Sequence, residues 1–461
     1  MFHSGGRIFR CVFPHAAGDI QAFLASPLAA QWMAGGTLAR TGIPESASSA
    51  GIPAERRNGF PPGSLIVEHA PIPFGNYPYE WAPAMLHRAA ALTLEMAGAA
   101  MRAGFTLKDA TPYNVMFDGA QPVFLDVLSF RRRDPLESMW RPHAQFIRTF
   151  VYPLLACRYF GLRPDEILLA HRDGLEPERM LALCPMYRAL APPFLSSVTV
   201  PVLLARRGHD GRADRYRVRH AQDANEAAFI LERLFAQAGR LLESASIRRP
   251  NGGAPQYMAS GQNYAPEERA RKERLIISAF NRWPPKNVLD IGCNTGHFSL
   301  LAARSGARVV AIDRDADAVD ALWQSASGAG ARILPLVVDI GRPPGACGWH
   351  NSECAAFLDR ARGAFDCVLM LALIHHLLVN ERVPMEAILQ LAAELTTRLA
   401  FVEYIDPGDL LFRRIVRGRE ALHRGVTREN FEAAAGRWFQ ILEVHDVTPA
   451  RRIYILRKRE A

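Results

Sequence analysis

Lysine is nearly absent from this 461-residue chain: Lys108, Lys272, Lys286 and Lys458 are the whole set, so the formal charge of +9 is carried by arginine. No apolar run approaches the ~18 residues that a membrane span requires. The start, Met1-Phe2-His3-Ser4-Gly5-Gly6, has neither a basic nor an apolar leader segment, so a cytoplasmic protein without a signal peptide is expected. The seven cysteines are scattered and odd in number, which excludes a disulfide framework and makes reduced thiols the default. Cys347, His350 and Cys354 fit no zinc spacing and lack a fourth ligand, so no metal site is expected.

What is present is a soluble-type composition, 49% hydrophobic, in a chain long enough for two or three domains. Arginines cluster at Arg131-Arg132-Arg133, Arg206-Arg207, Arg248-Arg249 and from Arg413 to Arg424. Guanidinium forks suit phosphate and carboxylate, but most such clusters are solvated surface. Without a basic stripe interleaved with aromatics, or an RNA-binding motif, the pattern argues against a nucleic-acid partner.

The Pro- and Gly-rich stretch 246–262 reads as a linker between an N-terminal region, 1–245, and a C-terminal domain, 263–461. Beyond it, Val288–Ile291, Arg308–Ile312, Leu336–Val338, Asp366–Met370 and Leu399–Val402 are short apolar runs of the kind buried parallel strands show. Helical stretches such as Phe298–Ser305 and Met385–Leu395 alternate with them, which predicts an α/β doubly wound sheet. Phe439–Val444 and Ile453–Leu456 predict a terminal antiparallel hairpin. Before the linker, 13–83 shows little periodicity, 85–104 is a helix with one apolar face, Asp118-Gly119 marks a hairpin turn, and 139–242 is mostly helical. The N-terminal region is therefore expected to be a mostly helical α+β domain.

The most informative string is Val288-Leu289-Asp290-Ile291-Gly292-Cys293-Asn294-Thr295-Gly296-His297-Phe298: strand, glycine turn, helix. Gly292 and Gly296 let the backbone turn sharply and approach a ligand closely. The spacing is not the G-x-G-x-x-G of a dinucleotide site. Asp313 ends the next strand, where a carboxylate can accept ribose hydroxyls, and Asp339 follows the third. Taken alone, Asp290 and Asp339 read equally as helix caps or turn residues.

Together these segments resemble class I S-adenosylmethionine (SAM) dependent methyltransferases. The resemblance implies a Rossmann-like seven-stranded domain, SAM as cofactor, and cofactor contacts at Asp290, Gly292, Cys293, Asn294, Gly296, Asp313, Arg314, Asp339 and Ile340. Methyl transfer from a sulfonium is an in-line displacement, so the remaining need is an aligned acceptor and, for oxygen or carbon, a base. His375 and His376, in a stretch resembling one that bears histidine in small-molecule methyltransferases, are candidates, as is Glu403 at a strand end. The alternative for the histidines is a helix cap and a solvent-facing side chain; for Glu403, an ordinary loop carboxylate. No Asn-Pro-Pro-Tyr type tetrapeptide follows the fourth strand, which argues against amino methylation of DNA and for a small-molecule or glycan acceptor.

In the N-terminal region Asp109, Asn114 and Asp126 repeat the order of base and metal ligands in kinase-like phosphotransferases. The segment resembles the C-lobe of an aminoglycoside-kinase-type fold, without an upstream lysine or glycine-rich loop. A scaffold that shapes the acceptor site is expected; a bifunctional kinase-methyltransferase and a non-catalytic SAM-binding module are the alternatives. The whole chain, including Tyr77-Pro78-Tyr79-Glu80-Trp81 and 109–130, resembles a bacterial group of long methyltransferases related to a rhizobial nodulation protein. That resemblance implies methylation of a cell-surface or signalling glycan.

Overall fold

The structure is a computed structural model that describes residues 2–45, 51–53, 55, 59–207, 220–247 and 265–460. The chain divides into two compact units, Met1–Arg248 and Arg249–Ala461. Residues 248–262 of the expected linker, with Arg248-Arg249, lie outside the described residues.

In the first unit β1 (Phe2–Ser4), β2 (Arg7–Val12), β3 (Thr41–Gly42) and β4 (Leu65–His69) form an antiparallel sheet in the order β1-β2-β4-β3. The helices Pro14–Leu24 and Pro27–Ala34 lie in the stretch expected to be irregular. Their prolines stand at the first helical turn, where the missing N–H has no intrahelical partner to lose, so they start helices instead of breaking them. Ser26 caps the second by accepting from the Ala29 N–H at 3.2 Å. Helix Pro83–Arg102 buries Met85, Leu86, Ala89, Ala90, Thr93, Met96 and Ala97 at three- and four-residue spacing, the apolar face read from the sequence. Two small ladders follow, β5 (Phe105–Leu107) with β8 (Phe130–Arg132), and β6 (Val115–Asp118) with β7 (Gln121–Phe124); the second turns at Gly119, φ 59°. Helices, Ala224–Ser244 the longest of them, make up most of the rest.

The second unit is built on seven strands: β9 (Asn287–Ile291), β10 (Arg308–Asp313), β11 (Ile333–Val337), β12 (Phe365–Met370), β13 (Thr396–Ile405), β14 (Phe439–Thr448) and β15 (Arg451–Lys458), in the order β11-β10-β9-β12-β13-β15-β14. β9 to β13 are parallel, and β15 inserts antiparallel between β13 and β14. This is the Rossmann-like methyltransferase arrangement, including the expected hairpin. β11 starts and ends earlier than the apolar run 336–338 suggested, and it tolerates Pro335 because it is an edge strand. The chain leaves β9 for β10 on one side and returns to β12 on the other. That reversal opens a crevice at the carboxyl ends of the strands, where ligands of open α/β sheets bind.

Candidate cofactor and methyl-transfer site

At the end of β9 the backbone turns through Gly292 (φ +75°) and Gly296 (φ +80°), left-handed conformations that side chains rarely adopt. A Cβ on Gly292 would stand 3.2 Å from Leu373 Cδ1, and one on Gly296 would stand 2.1 Å from Leu322 Cδ1. The first glycine thus keeps the cavity wall open. The second lets the helix Ala316–Ala329, which carries Leu322, pack against the turn. Asn294 is also left-handed, φ 51°, and its Oδ1 accepts from the Thr295 N–H at 2.6 Å. Asp313 ties this loop to the end of β10: its Oδ2 accepts from the Asn294 N–H at 2.8 Å and its Oδ1 from the Asp315 N–H at 2.9 Å.

These elements enclose a cavity of about 640 Å³, lined by Asp290, Gly292, Cys293, Asn294, Asp313, Arg314, Asp339, Ile340 and His376 among the expected residues. Gly296 is not in the lining; it shapes the turn from behind. The cavity size lies in the range of small-molecule and cofactor pockets. Sequence reasoning missed one whole wall, where helix Pro266–Arg282 contributes Arg269, Lys272 and Glu273. It also missed Ala372, held at φ 54° beside Leu371 and Leu373. No local pattern signals either, because both depend on what packs across the crevice.

Asp290 is buried, and burial raises its carboxyl to about 6 although Ser299 Oγ donates to its Oδ2 at 2.6 Å. Burial raises Asp313 as well, opposed by its two backbone N–H donors. The Cys293 thiol is pushed well up by burial and then by the nearby Asp313 and Asp290, so it is a neutral wall group and no nucleophile. Burial lowers His376, with Arg314 and Arg451 adding to the effect, so its imidazole is neutral at pH 7.

Two expected catalytic residues are placed elsewhere. His375 is 1% exposed, does not line the cavity, and is held near 3 by burial, His376 and Arg451. Among the described residues neither of its ring nitrogens has a hydrogen-bond partner, and its ring lies 4.1 Å from that of His376. Consecutive positions on a helix point about 100° apart, so only one of the two reaches the cavity. Glu403 is not at a strand end: β13 continues to Ile405, pairing Glu403 with Ile453 of β15 and burying it completely. There its carboxylate accepts from Lys272 Nζ at 2.5 Å. A buried carboxylate paired with an ammonium holds a structure and does not remove acceptor protons.

In the first unit, the Asp126 carboxylate is paired with Arg10 of β2 and also accepts from Ser129 Oγ at 2.5 Å. Asn114 Nδ2 donates to Ser129 Oγ at 3.3 Å and to the Asp109 backbone oxygen at 3.4 Å. Burial and the Asp126 charge raise the Asp109 carboxyl. The Asp126 carboxylate, a metal ligand in the kinase-like reading, is thus engaged by a guanidinium.

Residues 262–436 match the model of a methyltransferase domain family. Over 402 residues the chain is 26% identical to the nodulation protein NoeA of Rhizobium meliloti (strain 1021), covering 86% of this chain and 82% of that protein. Among solved structures, the PH0226 protein of Pyrococcus horikoshii OT3 is 16% identical, over 45% of this chain and 100% of its own, with a TM-score of 0.33. Magnesium protoporphyrin IX methyltransferase from Synechocystis PCC 6803, solved with bound SAH, is 16% identical, over 46% of this chain and 90% of its own, with a TM-score of 0.32. The cradle that a Cβ would fill at Gly292, the lining acids Asp313 at the end of β10 and Asp339 just beyond β11, and the cavity volume fit a nucleoside-bearing cofactor. The C-terminal unit therefore carries a methyltransferase domain built on a seven-stranded sheet.

Proposed function

We propose that the protein transfers a methyl group to an oxygen or carbon of a small-molecule or glycan acceptor, with His376 as the base. The observation that carries this reading is His376 itself: a histidine in the cavity lining, on the helix after β12, held below its usual pKa by burial. Bound SAM supplies an electrophilic methyl group and a neutral thioether leaving group. Asp313 and Asp339 would accept hydrogen bonds from the cofactor's hydroxyl and amino groups, and the glycine turn, Arg314 and Ile340 would hold it in the cavity. His376 takes the acceptor proton. The relative NoeA is named a nodulation protein, and a signalling glycan is the acceptor we assign.

Residues 1–245 are assigned to acceptor recognition, 246–262 to a linker, and 263–461 to methyl transfer, in a cytoplasmic enzyme. The Arg10–Asp126 pair disfavours the bifunctional alternative. The test is a radiolabelled SAM assay on glycan and small-molecule extracts, followed by His376→Ala. Loss of the base should lower kcat by roughly 10² to 10⁴ and leave SAM affinity intact. An unchanged rate with the true acceptor refutes the assignment, and absence of transfer to any extract favours a non-catalytic SAM-binding module.

A further inference from the structure

Between residues 410 and 428 the sequence places six arginines against a single acid, Glu420. Helix Leu410–Val416 turns Phe412 and Val416 inward, where both are buried. Leu410, Arg413, Arg414 and Arg417, spaced i, i+3, i+4, i+7, form the opposite stripe, and all four are exposed, Leu410 at 84%. The following turn, Glu420–His423, packs on this helix and presents Leu422, 76% exposed, next to exposed Arg424. Arg428 is paired with Glu432, and Arg419 donates to the Ile415 backbone oxygen. Arg413, Arg414, Arg417 and Arg424 have no carboxylate partner among the described residues. Glu420 accepts from the Gly418 N–H at 2.9 Å.

A helix C-terminus gains from basic residues, but that accounts for neither this many unpaired cations nor the two projecting leucines. Burying an exposed leucine while setting guanidinium groups against anions is what an interfacial amphipathic segment does. We propose that this face docks on an anionic lipid surface, Leu410 and Leu422 entering the headgroup region and the four unpaired arginines meeting lipid phosphates. Attachment by an amphipathic face of this kind lies in the interface and does not span the bilayer. The helix packs on Ile374–Val379, which carries His376, so docking brings the histidine side of the cavity toward the bilayer. The inference does not depend on which acceptor is methylated.

The test is co-sedimentation of the full chain with phosphatidylcholine vesicles, with and without phosphatidylglycerol. Binding is expected only to the anionic vesicles, and it should fade as salt shortens the Debye length. At about fivefold per cation near a membrane surface, Arg413→Gln, Arg414→Gln and Arg417→Gln together should lower the partition coefficient roughly a hundredfold. Leu410→Ser with Leu422→Ser should weaken binding at unchanged charge. These positions are exposed and outside the cofactor cavity, so calorimetric SAM affinity and the melting temperature should stay at wild-type values, which keeps a loss of binding from being a loss of fold. Equal binding to neutral vesicles, or none to anionic ones, overturns the proposal. So does full competition by millimolar glycerol phosphate, which would mark a free-phosphate site, and so does arginine-dependent binding of RNA without any binding to vesicles.

Discussion

Glu403→Gln separates two roles that the same carboxylate could have. As a general base, Glu403 would be lost at a cost of 10² to 10⁴ in rate with the fold intact. The structure gives the other outcome. Glu403 and Lys272 are 0% and 4% exposed at the side chain and 2.5 Å apart. Lys272 also stands 4.9 Å from the centre of the Phe298 ring, in the cavity wall. Removing one partner of a buried pair takes away the other's nearest counter-charge, which costs about 3 to 5 kcal/mol. The ring can return only part of that, since a cation over an aromatic face contributes about 0.5 to 2 kcal/mol. Replacing both partners by apolar residues of similar volume, Lys272→Met with Glu403→Leu, should recover most of the loss, because a buried pair repays little beyond its own desolvation. Urea unfolding of wild type, Lys272→Met, Glu403→Leu and the double variant closes the cycle, with Glu403→Gln measured beside them and SAM titration at low denaturant as the readout of the site. A Glu403→Gln protein of wild-type stability but depressed rate would refute the ion-pair reading and return Glu403 to the chemistry.

Asp313→Ala removes the acceptor of the Asn294 and Asp315 N–H groups along with the carboxylate facing the cofactor, so SAM affinity by calorimetry should fall by at least ~1.5 to 3 kcal/mol. Gly296→Ala combines a left-handed side chain, about 1 to 2 kcal/mol, with overpacking against buried Leu322, about 1 to 3 kcal/mol; urea midpoints should show the sum, and Leu322→Ala in the same background should restore part of it. The raised Asp290 carboxyl gives a pH signature. Between the unfolded value near 3.8 and the folded value of about 6 the native state holds more protons than the unfolded one, so this group's contribution falls as pH rises through that window. Asp290→Asn should therefore gain on wild type by up to about 3 kcal/mol from pH 4 to pH 7, and a difference that does not change with pH would show that Asp290 titrates normally.

Much of the second unit could be read from the sequence because its information is local. A buried parallel strand is a short apolar run, a glycine turn sits directly behind it, and Asp313 and Asp339 fall at or just beyond strand ends, so spacing along the chain maps onto position along one sheet edge. Where the reading failed, the deciding contact was remote. Apolar composition marked 399–402 as a strand, but only pairing with β15 carries β13 on to Ile405 and turns Glu403 from a rim carboxylate into a buried one. The histidine pair could be placed after β12, yet which of two adjacent residues faces the cavity depends on helical phase, and that is fixed by packing. The first unit shows the limit most plainly. Asp109, Asn114 and Asp126 keep a spacing that suggests metal and phosphate chemistry, and in the fold Asn114 and Asp126 meet through Ser129. What engages Asp126 is Arg10, 116 residues away on β2, joined to it through the folded sheet. A guanidinium cannot lose its charge at any pH the protein tolerates, so a divalent cation would have to break that pair before Asp126 could bind it.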